Sequence, residues 1–213
     1  MKTAAVIPVK TFSKAKSRLG LTQLQVEKIC EIMLEEILQT LTISPHIDEI
    51  LVITKDAKAK KIGKKFNVIL IDDEKEFGVN HAVALADQYL LKNNFDVSIV
   101  FPQDIPHIKT QDIDFMLQFK ADSNYVIVVP SRRFDGTNAL VRAPINLMKT
   151  HYDEDSYKIH MSTAKEVTRD VSLVFVKRIM SDVDNLEDLK FILSQNEKPQ
   201  LTQKIQSVLA EIE

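Results

Sequence analysis

The chain has 213 residues, 45% of them hydrophobic and 27% charged, with 28 Lys and Arg against 30 Asp and Glu for a net charge of −2. That length suits one α/β domain rather than two, and the charge argues against nucleic acid, whose binding usually needs a basic face. No apolar run approaches the roughly 18 residues that span a bilayer, and the N-terminal apolar stretch is too short for a signal-peptide core, so a cytoplasmic chain without a membrane partner is expected.

Residues 4–9, AAVIPV, read as a buried strand, and a loop carrying Lys10, Lys14, Lys16 and Arg18 follows it directly. Next comes a long amphipathic helix: Thr22 and Gln25 make a capping box, Leu21 can staple against Val26, and Val26, Ile29, Met33, Ile37 and Leu41 share one face. A strand, a cationic loop and a helix N-terminus together suit a polyanion such as a nucleoside triphosphate. A solvated basic loop is the equally simple alternative. Cys30, the single cysteine, falls on the apolar stripe of this helix, which predicts a packing role and excludes an intramolecular disulfide. The five histidines show no metal-site spacing, so a bound metal would be a hard cation on carboxylates.

Further strands are predicted at 49–54, 68–71, 97–101, 125–130 and 172–176, and further helices at 57–65, 79–93, 110–121, 157–167, 186–195 and 202–212. Strands rich in Val, Ile and Leu that alternate with helices predict one α/β domain over residues 1–213, a mostly parallel sheet covered on both faces. Thr54, Lys55 and Asp56 end the second strand, where a base or ribose could lie, with a solvated loop as the equal alternative. Only Gly20, Gly63, Gly78 and Gly136 occur, so no Walker loop and no GxGxxG can be written. Phosphate would then be held mainly by Lys and Arg. Gly78-Val79-Asn80 opens one helix, and Phe134 to Asn138 form a connection after the fifth strand.

Asp104 ends the fourth strand between Pro102 and Pro106, and Asp182 and Asp184 follow the last one. Together these carboxylates could hold one or two Mg²⁺ ions, which favour carboxylates plus substrate phosphates. Asp184 or Asn185 could equally cap the next helix. Asp155-Ser156 starts another helix, where capping is the plain reading and binding of a small carboxylate or phosphate the alternative.

Taken in order, IPVK, AKSRL, GVN, QDIP, DGTNAL, DSY with the later His160, and DVDNLEDL resemble the 2-phospho-L-lactate guanylyltransferase family of coenzyme F420 biosynthesis, from Ile7 to about Leu189. The resemblance implies a Rossmann-like mixed sheet of the nucleotide-diphospho-sugar transferase type, with one reversed strand near the edge. It also implies transfer of GMP from GTP to the phosphate of a small three-carbon phospho-acid, 2-phospholactate or phosphoenolpyruvate, with Mg²⁺ as cofactor and pyrophosphate released. Residue by residue, it implies Lys10, Lys16 and Arg18 as the triphosphate loop (Lys10 and Arg18 being catalytic), Gly78 and Asn80 as the nucleotide turn, Asp104, Asp182 and Asp184 as metal ligands, and Thr137 and Ser156 as holders of the acceptor's carboxylate. The chain departs from the family's glycines at Tyr152-Asp153-Glu154-Asp155, which bears on which acid is accepted. Rival readings are a cytidylyl- or sugar-nucleotidyltransferase, of whose GxGxRM loop only Arg18-Leu19 survives, and an inactive nucleotide-binding protein. A homodimer is compatible with such a chain.

Overall fold

Strands made of branched apolar residues need cover on both faces, and a single sheet between two helical layers supplies it. A computed structural model describes residues 1–153 and 155–210. Glu154 and Ile212, the expected end of the last helix, lie outside the described residues. The strands are β1 (Thr3–Pro8), β2 (Glu49–Ile53), β3 (Ile69–Ile71), β4 (Val97–Val100), β5 (Tyr125–Pro130), β6 (Thr137–Ala143) and β7 (Asp170–Leu173). They pair in the order β3-β2-β1-β4-β6-β5-β7, all parallel except β6, which runs antiparallel to β4 and β5. The helices are α1 (Gln23–Thr42), α2 (Ala57–Lys65), α3 (Val79–Lys92), α4 (Thr110–Met116), α5 (Ser156–Val167), α6 (Lys177–Met180), α7 (Leu186–Gln195) and α8 (Pro199–Ala210). Among the described residues no helix is long and apolar enough to cross a membrane.

Alternation along the strands sorts side chains between the two layers. Ala5 and Ile7 of β1, Ile99 of β4 and Ile127 and Val129 of β5 share one core with α1, which buries Ile29, Cys30, Met33, Leu34 and Ile37 completely. Ala4, Val6, Val126 and Val128 face the opposite way, against Ala82, Val83, Ala86 and Leu90 of α3 and Ala164 of α5. Each such fully buried Leu or Ile contributes roughly 1.5–3 kcal/mol. The capping box of α1 forms as expected: Thr22 Oγ1 accepts from the Gln25 N–H at 3.3 Å, and the Thr22 N–H donates back to Gln25 Oε1 at 3.1 Å.

The main correction is β6. Thr137 and Asn138, expected in a connection, instead open a strand that runs on to Ala143 and is buried throughout. Thr137, Asn138 and Arg142 interrupt its apolar pattern, because their polar groups are satisfied inside the protein rather than by water. Arg142, only 1% exposed, makes a bidentate pair with Asp87 of α3 at 2.7 and 2.9 Å. The reversed strand, expected near the edge, is third from the β7 edge. Smaller differences lie at element ends. α4 stops at Met116 and tightens into a 3₁₀ turn, Leu117–Phe119. β7 runs from Asp170 to Leu173, earlier than expected; α6 was not foreseen; and α8 begins at Pro199, where a missing N–H costs the first turn nothing.

β2 and β3 extend the sheet from one side of β1, and β4 from the other. That reversal of direction opens a crevice at the carboxyl ends of β1 and β4, the usual ligand position in an open α/β sheet.

Candidate active site

A cleft of about 600 Å³ occupies that crevice. Lys10, Lys14, Lys16 and Arg18 line it from the segment between β1 and α1, and Asp104 and Asp184 line it from the loops after β4 and α6. The basic segment is built from two single 3₁₀ turns, Phe12–Lys14 and Ser17–Leu19. Phe12 and Leu19 are fully buried and anchor it, which leaves the cations between them to face the cleft. Lys10 and Arg18 are exposed, and neither has an ion-pair partner among the described residues. Lys14 is instead held 3.7 Å from Glu76 Oε2, and Lys55 3.0 Å from the same oxygen. Burial alone would raise the Glu76 carboxyl, but the Thr11 N–H and Lys55 outweigh it and hold it down at about 2. Glu76 thus ties the basic segment to the turn before α3.

The Lys16 side chain reaches between the two aspartates. Its Nζ donates to Asp184 Oδ1 at 2.8 Å and to Asp104 Oδ2. Burial opposes the ammonium charge, yet the two carboxylates outweigh it and keep Lys16 protonated well above its ordinary range. The aspartates are brought together by backbone: the Val183 N–H donates to the Asp104 carbonyl at 3.0 Å, pinning the loop after α6 to the loop after β4. Capping falls to Asn185, whose side chain accepts from the N–H groups of Glu187 and Asp188 at 2.9 and 3.0 Å, so Asp184 stays available to the cleft.

Asp182 is placed differently. It does not line the cleft; its Oδ1 accepts from Asn138 Nδ2 at 3.0 Å. Burial, then Asp104 and Asp184, push its carboxyl up to about 7, with the Asn138 hydrogen bond working the other way. Among the described residues no three His, Cys, Asp or Glu side chains stand together at metal-ligand spacing. The expected ligand triple is therefore not gathered, because the Lys16 ammonium stands between two of its members and the third turns to Asn138. The donor chemistry nonetheless fits a hard cation. Asp104 and Asp184 already share one positive group, and Asp104 Oδ1 is buried with no hydrogen-bond partner.

At the nucleotide turn, Gly78 has φ +98°, a conformation that L side chains rarely adopt, and a side chain there would strain the entry to α3. Asn80 lines the cleft, and its carbonyl oxygen accepts from the Tyr152 N–H at 2.8 Å, fastening the 152–153 segment to α3. Thr54, Lys55 and Asp56 do not line the cleft; Asp56 caps α2 through the Lys58 and Ala59 N–H groups, which explains its place without a ligand.

Thr137 is the first residue of β6 and Ser156 the first of α5. Asp155 makes no capping bond and pairs with Lys158 at 3.0 Å. The Ser156 hydroxyl instead donates to Thr137 Oγ1 at 3.2 Å, and Thr137 lines the cleft. Behind both lies His160, fully buried, with Nδ1 2.9 Å from Thr137 Oγ1. Sequence reasoning gave His160 no role, although it follows DSY in the family-like segments and stands four residues from Ser156 on one helix face.

Several known proteins are similar to this chain. The phosphoenolpyruvate guanylyltransferase of Conexibacter woesei is 31% identical over 192 residues, covering 89% of this chain and 86% of that protein. The 2-phospho-L-lactate guanylyltransferase of Methanothermobacter thermautotrophicus is 30% identical over 199 residues, covering 92% and 86%. Among solved structures, a cytidylyltransferase from Leptospira borgpetersenii superposes with a TM-score of 0.61 at 15% identity, over 100% of this chain and 98% of that one, a likeness of fold. The family model described as guanylyl transferase CofC like matches residues 3–209, and the chain belongs to that family.

Proposed function

We propose that this protein transfers GMP from GTP to the phosphate of a small three-carbon phospho-acid, 2-phospholactate or phosphoenolpyruvate, as a step toward coenzyme F420. Membership of a guanylyltransferase family supports the reaction type. One observation carries the reading to this site: Lys10 and Arg18, which have no ion-pair partner among the described residues, share a single cleft with the Asp104–Asp184 carboxylates. That pairing of charge suits a polyphosphate on one side and a cation-bridged reaction centre on the other.

In this reading an oxygen of the acceptor phosphate attacks the α-phosphorus of GTP. The new bond forms there as the bond to the bridging oxygen of the β-phosphate breaks, and pyrophosphate leaves with that electron pair. No general base is needed, since a phosphate monoester is already ionised near neutral pH. Catalysis is then mostly positioning and charge neutralisation between two anions. Arg18, a rigid fork of donors, and Lys10, a mobile point charge, stabilise the negative charge that builds on the departing pyrophosphate. Asp104 and Asp184 are the residues that would hold Mg²⁺, and Asp182, hydrogen-bonded to Asn138, stands behind them. The ion would screen the two phosphates from each other. Lys16 adds a cation at the same point and orients both aspartates.

The relatives at 31% and 30% identity carry different acceptor names, so overall similarity does not choose the acid. A matrix of four NTPs against 2-phospholactate, phosphoenolpyruvate and 3-phosphoglycerate, read by pyrophosphate release, tests the reading. GTP with one of the first two acids should give the highest turnover. Equal rates with all four NTPs, or no release that depends on an acid, would refute it.

A further inference from the structure

The hydrogen bonds around His160 fix the direction of a proton at the cleft wall. His160 Nε2 lies 2.8 Å from the His151 backbone nitrogen, which can only donate. Nε2 therefore bears no hydrogen, and the neutral ring carries its one proton on Nδ1. That Nδ1–H points at Thr137 Oγ1, 2.9 Å away. The Ser156 hydroxyl donates to the same oxygen at 3.2 Å. With the ring's hydrogen directed at it, Thr137 Oγ1 cannot donate inward to Nδ1, and its own hydrogen is left to turn toward the Ser156 side or outward. Thr137 lines the cleft, so that hydrogen is available to a ligand.

We infer that His160 is a positioning residue that commits the Thr137 hydroxyl to donate a hydrogen bond to an anionic oxygen of the acceptor acid. The inference rests on the transfer reaction proposed above. The position favours the acceptor over the nucleotide: in the sheet order β1-β4-β6, the strand bearing Thr137 lies across the Asp104 strand from the basic segment. The environment keeps the ring neutral, as the arrangement requires. Burial, with His151 and Arg142 nearby, holds His160 down at about 3, and the Tyr152 ring packs edge-on at 4.9 Å. A charged imidazolium would place an N–H against the His151 N–H, and a ring protonated on Nε2 would do the same. In either case the order of donors could not form. Thr137 alone, without His160, could turn its hydrogen inward and present only lone pairs to an anion.

A double-mutant cycle on the full chain tests this, with KM measured separately for GTP and for the better of phosphoenolpyruvate and 2-phospholactate. Thr137→Val and His160→Phe should each raise the acceptor's KM roughly 10- to 100-fold, the worth of one hydrogen bond to a charged group, and leave the KM of GTP within about twofold. Combined, they should be no worse than Thr137→Val alone, because His160 acts only through that hydroxyl. Thr137→Ser, which keeps the hydroxyl, should retain most of the acceptor affinity. Should His160→Phe fold poorly, ¹⁵N NMR of the wild-type imidazole decides independently: a neutral ring with hydrogen on Nδ1 is expected at pH 7. Multiplying penalties in the double variant, an equal rise in the KM of GTP, or a ring protonated on Nε2 would overturn the inference. A wild type that transfers GMP to no acid, yet shows the Nδ1–H ring, would refute the proposed reaction and the acceptor assignment while leaving the proton arrangement in place.

Discussion

Lys16 and Asp184, 168 residues apart in sequence, form an ion pair of 2.8 Å inside the cleft, and Asp104 accepts from the same ammonium. The lysine thereby occupies the point on which two carboxylates converge. Its positive charge stands where a hard cation bound to those carboxylates would also supply positive charge.

Lys16→Met keeps the length of the side chain and removes its charge, which leaves Asp104 and Asp184 facing each other. Stability should fall by roughly 3 kcal/mol, as expected when one partner of a largely buried pair is removed. Added Mg²⁺ should then raise the melting temperature of the variant more than that of the wild type, since it replaces the lost cation. An identical Mg²⁺ response in both proteins would show that the metal does not use these carboxylates.

Asp104→Asn and Asp184→Asn preserve shape and each delete one unit of ligand charge. Turnover in saturating Mg²⁺ should drop roughly 100-fold or more in each. Asp182→Asn should be milder, because its Oδ1 is engaged by Asn138 outside the cleft. A steady-state comparison of the three variants checks the ranking, and a larger loss at Asp182 than at Asp104 would contradict it.

Arg18 is exposed and has no ion-pair partner among the described residues, so its removal should spare the fold. Arg18→Ala should leave the melting temperature within about 2 °C and lower kcat/KM for GTP roughly 30- to 1,000-fold, the worth of a charge-assisted contact to a developing negative charge. Unchanged kcat/KM would take the basic segment out of the site.

His107 gives a pH-dependent signature away from the cleft. It is buried, and desolvation, assisted by Lys198, Lys109 and Arg178 against the pull of Glu197, lowers its ring to about 4. The unfolded chain, with an ordinary value near 6.5, binds the extra proton first, so stability is lost as pH falls below about 6.5. Between pH 7.5 and pH 5 this should cost about 2 kcal/mol. His107→Gln escapes that loss, and urea titrations at both pH values should shift the stability difference toward the variant by that amount. A constant difference would mean that the ring takes up its proton as readily in the folded protein as in the unfolded chain.

Much of the fold is legible in the chain because its buried strands are nearly pure Val, Ile and Leu and its first helix declares its cap at Thr22 and Gln25. β6 is not, since Thr137, Asn138 and Arg142 look like loop residues until His160, Asp182 and Asp87 are known to meet them. The cationic segment and Asp104 are readable as residues next to strand ends. What spacing could not give is side-chain direction: that Lys16 turns inward to the aspartates while Lys10 and Arg18 stay free, that Asp182 faces Asn138, and that Ser156 serves Thr137 rather than capping its helix. Those depend on contacts between segments from 19 to 168 residues apart, and no local pattern encodes them.

The joining of GMP to an acceptor phosphate is observed most directly by ³¹P NMR of the wild-type reaction with GTP, Mg²⁺ and phosphoenolpyruvate or 2-phospholactate. A pair of mutually coupled diphosphate doublets, growing in step with pyrophosphate as the acceptor's monoester signal declines, is the predicted result. GTP breakdown with the acceptor signal unchanged would contradict it.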